Sequence, residues 1–235
     1  MPLDSFDKGT LLSVLLVDRL AERSTLGAWP SRSRQPMNDS LNQAALQLRQ
    51  HIHQFVALSD EEWSGLEPHL SIVHLKKHQF MATQGVVADQ VGFVLEGIFR
   101  QFYTKDGEER TTYFFFDQQL IAAYMSCVTA RPSPVNIEAL TDATCLVFPY
   151  PVLKALFSQY AGWQEFGRLF AEYVMVALEE RMAGLLMLSP EERYLALLQG
   201  DHRHILQRVP QHYIATYLGI TPVSMSRIRN RIVPK

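Results

Sequence analysis

The chain has 235 residues, 47% of them hydrophobic and 20% charged, with a net charge of −2. That length supports one large domain or two small ones, and the balance excludes wholesale disorder. The apolar run Leu11–Val17 is far shorter than the roughly 20 residues of a membrane span, and no small-residue cleavage pattern follows it, so a soluble, cytoplasmic protein is expected.

Residues 1–36 end in a stretch rich in Ser, Arg and Pro and read as a flexible lead, with Met37 as the expected natural start. A short amphipathic helix at Leu11–Leu20 is the alternative. From Leu41 to Leu70 the pattern is helical, with Leu41, Ala45, Leu48, Ile52 and Phe55 three and four apart. Ser59 with Glu62 forms a capping box that restarts a helix after a break.

From Ile72 to Phe148, short aromatic and β-branched runs alternate with turn signals such as Gln84-Gly85, Glu96-Gly97 and Arg131-Pro132-Ser133-Pro134. Strands at this spacing predict an antiparallel roll, sandwich or barrel. Asp106-Gly107 predicts a tight hairpin between Phe99–Tyr103 and Arg110–Phe116. Cys145 lies in a strand pattern and is expected to be buried and inert. Cys127 lies in a loop, where a thiol sensor competes with the same bland reading.

After Pro149-Tyr150-Pro151 a short helix, Val152–Gln159, precedes a long one from about Gly162 to Leu188. Phe166, Tyr173, Glu180 and Met187 recur every seven residues, as do Leu169, Val176 and Ala183, with Phe170, Ala177 and Gly184 alongside. This seam either packs on the chain's own β-region or pairs with its copy in a homodimer; both uses together are expected. Ser189-Pro190-Glu191-Glu192 is an N-cap, a first-turn proline and a capping-box glutamate, and Gly200 ends that helix.

The strongest signal is Gln211–Ile228. Ala215 is the small residue where two helices touch, Gly219 the turn, and Ile214, Leu218, Ile220, Met225 and Ile228 the apolar lock of a helix-turn-helix. Thr221-Pro222 caps the second helix and Pro234 ends it. At 100° per residue, Met225, Ile228 and Ile232 face the core, while Val223, Ser226, Arg227 and Asn230 face outward, flanked by Ser224 and Arg231. Such a face suits a DNA major groove. Residues 201–235 carry six cations against Asp201, the first 36 residues net +1, and the middle −8, so the basic end sits on an acidic body. On charge alone, a solvated helix face competes with a polyanion partner.

This order of parts resembles the cyclic-AMP receptor/fumarate-nitrate regulator (Crp/Fnr) family of bacterial transcription factors. The likeness covers about Leu46–Lys235 and is carried by Phe80–Gly85, Val91–Gly97 and Tyr217–Ile228. It implies an α+β fold: an N-terminal antiparallel β-roll (a double-stranded β-helix of cyclic-nucleotide-binding type), a long dimerisation helix and a C-terminal winged-helix-like helix-turn-helix. The corresponding segments are 37–160 for effector sensing, 161–188 for dimerisation and 189–235 for DNA binding. Because the chain stops just after the second helix, any wing is expected near His204–Val209.

The implied partners are double-stranded DNA, a second copy and RNA polymerase. By the resemblance, Val223 and Arg227 touch bases, and Thr221 and Ser224 touch phosphates; Pro222, Ser226, Asn230 and Arg231 complete the surface. Many relatives have Arg and Glu where this chain has Pro222 and Val223, which implies a different operator. The implied dimer contacts are Phe166, Leu169, Phe170, Tyr173, Val176, Ala177, Glu180, Ala183 and Met187.

Relatives that bind cyclic nucleotides carry a Gly-Glu and an Arg-Ser/Thr-Ala group. Here the matching stretches put Ala122, Ala123 and Tyr124, then Arg131 and Ser133, around the effector pocket. Ala122-Ala123 cannot hydrogen-bond a ribose, and Arg131 is about two positions from the phosphate arginine, so no cofactor is expected and a cyclic nucleotide is disfavoured. A pocket filled by its own side chains and an unknown small ligand remain. Two cysteines are too few for an iron–sulfur cluster, His51 and His53 diverge on a helix, and no catalytic motif stands out, so no enzyme is expected. The alternative to a regulator is a ligand-binding or protein-interaction module that no longer reads DNA.

Overall fold

The computed structural model describes residues 39–200 and 203–232. The expected lead, its alternative helix at Leu11–Leu20, and Pro234 lie outside the described residues.

Helix α1 (Asp39–His53) buries Ala44, Ala45, Leu48 and Ile52 along one side, as its apolar spacing predicts. The helical stretch expected up to Leu70 is interrupted. A loop leads to α2 (Asp60–Ser64), where Ser59 Oγ accepts from the Glu62 amide at 3.2 Å and Glu62 Oε2 accepts from the Ser59 amide at 2.9 Å. A 3₁₀ turn (Glu67–His69) follows.

Eight strands come next: β1 (Ser71–Leu75), β2 (Phe80–Ala82), β3 (Gln90–Glu96), β4 (Phe99–Lys105), β5 (Glu108–Phe115), β6 (Leu120–Ile121), β7 (Asn136–Ala139) and β8 (Ala143–Pro149). They form two antiparallel sheets, ordered β1-β8-β3-β6 and β2-β7-β4-β5. Between the sheets lie Val94, Phe99, Phe115, Ile121, Ile137 and Cys145, all at 2% exposure or less. Asp106 and Gly107, at φ +54° and +80°, make the two-residue hairpin between β4 and β5. The β4–β5 register shifts after Gln101: Gln101 faces Tyr113 while Phe102 faces Thr111, which leaves Thr112 as an extra residue. Helix α3 (Tyr124–Thr129) connects β6 to β7.

Helix α4 (Tyr150–Gln159) leads to α5 (Ala161–Met187), whose 27 residues span ~40 Å. The start of α5 is fixed to the N-terminal helices. Trp163 Nε1 donates to the Glu62 carbonyl at 2.8 Å, and the Gly162 amide donates to Glu62 Oε1 at 2.8 Å. Phe55 packs edge-on against the rings of Phe166, Phe170 and Tyr173. The first two turns of the seam thus pack on their own chain. Farther along, Val176, Met182, Leu186 and Met187 are 56–80% exposed.

Helices α6 (Pro190–Gln199), α7 (Arg203–Arg208), α8 (Gln211–Tyr217) and α9 (Pro222–Ile232) complete the described chain. The region expected to hold any wing is occupied by α7, so among the described residues the head has no strand of its own. Tyr194, Leu197, Ile205, Ile214, Leu218, Met225 and Ile228 form the core of this head.

Candidate functional site

Helix α8 ends in a turn that its sequence dictates. Gly219, at φ +71°, takes the left-handed position, its amide donates to the Thr216 carbonyl at 3.2 Å, and the Ile220 amide donates to the Ala215 carbonyl at 3.0 Å. This pair of bonds is the Schellman pattern, which satisfies carbonyls that a helix end leaves open. Thr221 then caps α9, accepting from the Ser224 amide at 3.1 Å. Ala215 and Ile214 are fully buried where the helices meet.

The outward face of α9 is composed as the helical wheel predicts. Met225 and Ile228 are buried and Ile232 packs against the same core, whereas Thr221, Pro222, Val223, Ser226, Arg227, Asn230 and Arg231 are exposed and Ser224 is half-buried. Arg231 reaches Glu191 at 3.2 Å. Arg227 and Arg229 have no ion-pair partner among the described residues, so their charge is free for a polyanion.

The head is seated on the outer face of the roll. Thr111 and Thr216 share a 2.6 Å hydroxyl contact, and the rings of Phe114 and Tyr217 lie 5.3 Å apart. Arg100, 2% exposed, is sandwiched between the rings of Phe102 at 3.8 Å and Tyr213 of α8 at 3.9 Å. Its charge is met by Glu138 at 2.9 Å and Glu109 at 2.7 Å, and Glu138 also meets His78 at 2.6 Å. Arg208 pairs with Asp117 at 3.0 Å. Sequence reasoning missed this seat; its one local trace is an arginine set between Phe99 and Phe102 in a strand.

A cavity of about 550 Å³, within the range of small-molecule sites, lies between the roll, α5 and the head. Ala122, Ala123 and Tyr124 line it. Arg131 is exposed and Ser133 is buried in its own loop, its hydroxyl donating to the Val135 carbonyl at 2.7 Å; neither lines the cavity. Gln101, Tyr103, Val174, Glu180, Arg181 and Arg193 also face it, and the two arginines have no counterpart in the sequence-based expectations. Of the expected dimer contacts, Ala177 and Glu180 belong to this wall. Leu169 and Tyr173 are half-buried, and Val176, Ala183 and Met187 are exposed.

The thiol-sensor reading of Cys127 fails on its surroundings. Burial and the nearby Asp89 charge push its thiol up to about 12, and burial does the same to Cys145, so neither supplies a thiolate near neutral pH. Among the described residues no group of three His, Cys, Asp or Glu could hold a metal ion, and no helix is long and apolar enough to cross a membrane.

Residues 72–160 match the family model of the cyclic nucleotide-binding domain. No curated protein matches the chain. Among solved structures it is similar to FixK2 from Bradyrhizobium japonicum, with a TM-score of 0.59 at 16% identity over 69% of this chain and 84% of that one. A Crp/Fnr-family protein from Eubacterium rectale gives 0.59 at 17% identity over 74% and 83%. A CooA mutant from Carboxydothermus hydrogenoformans gives 0.55 at 16% over 69% and 76%. Residues 72–160, which hold most of the roll, thus match the cyclic nucleotide-binding domain, and the fold of the chain is similar to that of the Crp/Fnr proteins.

Proposed function

We propose that the chain is a DNA-binding transcription regulator that acts as a homodimer on a pseudo-palindromic site. The observation that carries this reading is the outward face of α9. Val223, Ser226, Arg227 and Asn230 are all exposed on a capped helix whose other side is locked by Met225 and Ile228, and among the described residues Arg227 has no ion-pair partner. Arg227 and Asn230 supply donors for base edges, Val223 suits a thymine methyl, and Thr221 and Ser224 at the helix start are positioned for phosphate. The exposed apolar residues Val176, Met182, Leu186 and Met187 on α5 support pairing with a second copy. Two-fold pairing of two such helices suits half-sites about one DNA turn apart.

The cavity between roll and head is the signal site in this reading, and its ligand is not a cyclic nucleotide. Ala122 and Ala123 offer no side-chain partner for a ribose, and Arg131 does not reach the wall. Occupancy would bias the head between two arrangements on the roll. A salt titration on labelled promoter fragments tests the function. Sequence-selective binding that weakens steeply with salt supports the regulator, whereas no binding at low salt supports a module that no longer reads DNA.

A further inference from the structure

Two guanidinium groups face the cavity, from Arg181 on α5 and from Arg193 on α6, and among the described residues neither has a carboxylate partner. Glu180 is the one acidic residue among those lining the wall, so against the two arginines these groups leave one positive charge in surplus. Burial, with the neighbouring Arg193 adding to it, holds Arg181 below its ordinary range, the mark of a cation without an anion.

Both arginines are instead occupied by the carbonyl end of α8 and its turn. Arg181 donates to the Tyr217 carbonyl and stacks on the Tyr217 ring at 3.7 Å. Arg193 donates through Nε to the Leu218 carbonyl at 3.0 Å and through Nη1 to the Leu188 carbonyl at 2.6 Å. A helix C-terminus presents only about half a negative charge, so a full anion inside the cavity outcompetes it. Much of the remaining wall is apolar, including Phe114, Phe116, Ala122, Val174 and Leu197.

We propose that this cavity binds an amphipathic monocarboxylate, with its head on Arg181 and Arg193 and its apolar body along Phe114, Phe116 and Val174. The net charge of the wall is balanced by one negative charge, not by a doubly charged phosphomonoester. Because the arginines that take the head are those that hold α8, binding draws hydrogen bonds away from the first helix of the DNA-binding pair. This inference rests on the reading of the cavity as the signal site.

The test is calorimetry of the full chain with decanoate and with decanol, which share a body and differ in charge. Decanoate is expected to bind at least tenfold more tightly than decanol. Gly184→Leu is the second arm: Gly184 lines the cavity, a Cβ there meets nothing within 4 Å, and leucine favours the helix over glycine. This variant should keep or raise the melting temperature and weaken decanoate at least tenfold, as should Arg193→Gln. Decanol binding as tightly as decanoate, no decanoate binding, or indifference to Gly184→Leu overturns the proposal. The same preparation is titrated with promoter DNA in the absence of decanoate. DNA binding without decanoate binding removes this inference alone, and decanoate binding without DNA binding removes the regulator reading alone.

Discussion

Truncating Tyr213 to alanine removes one slice of the sandwich around Arg100, a guanidinium that is 2% exposed and ion-paired to Glu138 and Glu109. A desolvated cation–π contact contributes about 2 kcal/mol. Loss of a half-buried ring adds roughly half of the 3–5 kcal/mol typical of a fully buried aromatic, so the total is about 3.5–4.5 kcal/mol. Arg100→Met also removes the stack and leaves Glu138, 8% exposed, with only His78 as a partner, a loss of about 3–5 kcal/mol. Urea unfolding followed by circular dichroism, run on both single variants and the double variant, isolates the shared part. A coupling energy of about 1–2 kcal/mol is expected. If the two losses add to within about 0.5 kcal/mol, the stack contributes nothing and the seat of α8 depends on its other contacts, Thr111 and Phe114 among them.

Arg227→Ala should cost about 1–3 kcal/mol at its cognate base and relax preference there; an equal loss on random DNA would reduce Arg227 to a phosphate contact. Val176→Glu places a charge on the exposed part of the α5 stripe, and light scattering should then report a monomer; an unchanged dimer mass refutes pairing through that stripe. His51 is buried against Phe93, and burial lowers its pKa from 6.5 to about 4. The unfolded chain takes up a proton there first, so stability is full above pH 6.5 and falls by roughly 3 kcal/mol as pH drops towards 4. His51→Leu should flatten that stretch of the stability–pH curve, and an unchanged slope would assign the acid sensitivity to other groups.

Elements with local chemical causes were legible. The Thr221-Pro222 pair placed the start of α9, and Asp106-Gly107 placed the β4–β5 hairpin, because a cap and a positive-φ turn are decided by adjacent residues. The wheel of α9 was readable for the same reason: one buried side fixes the opposite one. The break after His53 was anticipated only through Ser59, since a helical pattern continues in sequence even where the chain turns to pack on Trp163. What stayed hidden is what joins distant segments. Arg100 and Tyr213 meet only after the roll has closed, and Arg181 and Arg193 look like ordinary solvated helix cations until α8 ends against them. The seam of α5 was ambiguous because one stripe does two jobs, its first turns facing Phe55 and its later ones left open.

The extra residue Thr112 in β5 has a consequence for how the head can be carried at all. Side chains alternate along a strand, so residues 111 and 114 would ordinarily point to opposite sides. With Thr112 accommodated as a bulge, Thr111 and Phe114 both turn to the outside, where Thr216 and Tyr217 meet them, while Phe115 stays within the roll. A single surplus residue thus converts a plain barrel wall into a two-point mount, and a strand of uniform alternation could offer the head a polar foothold or an aromatic one, never the two together.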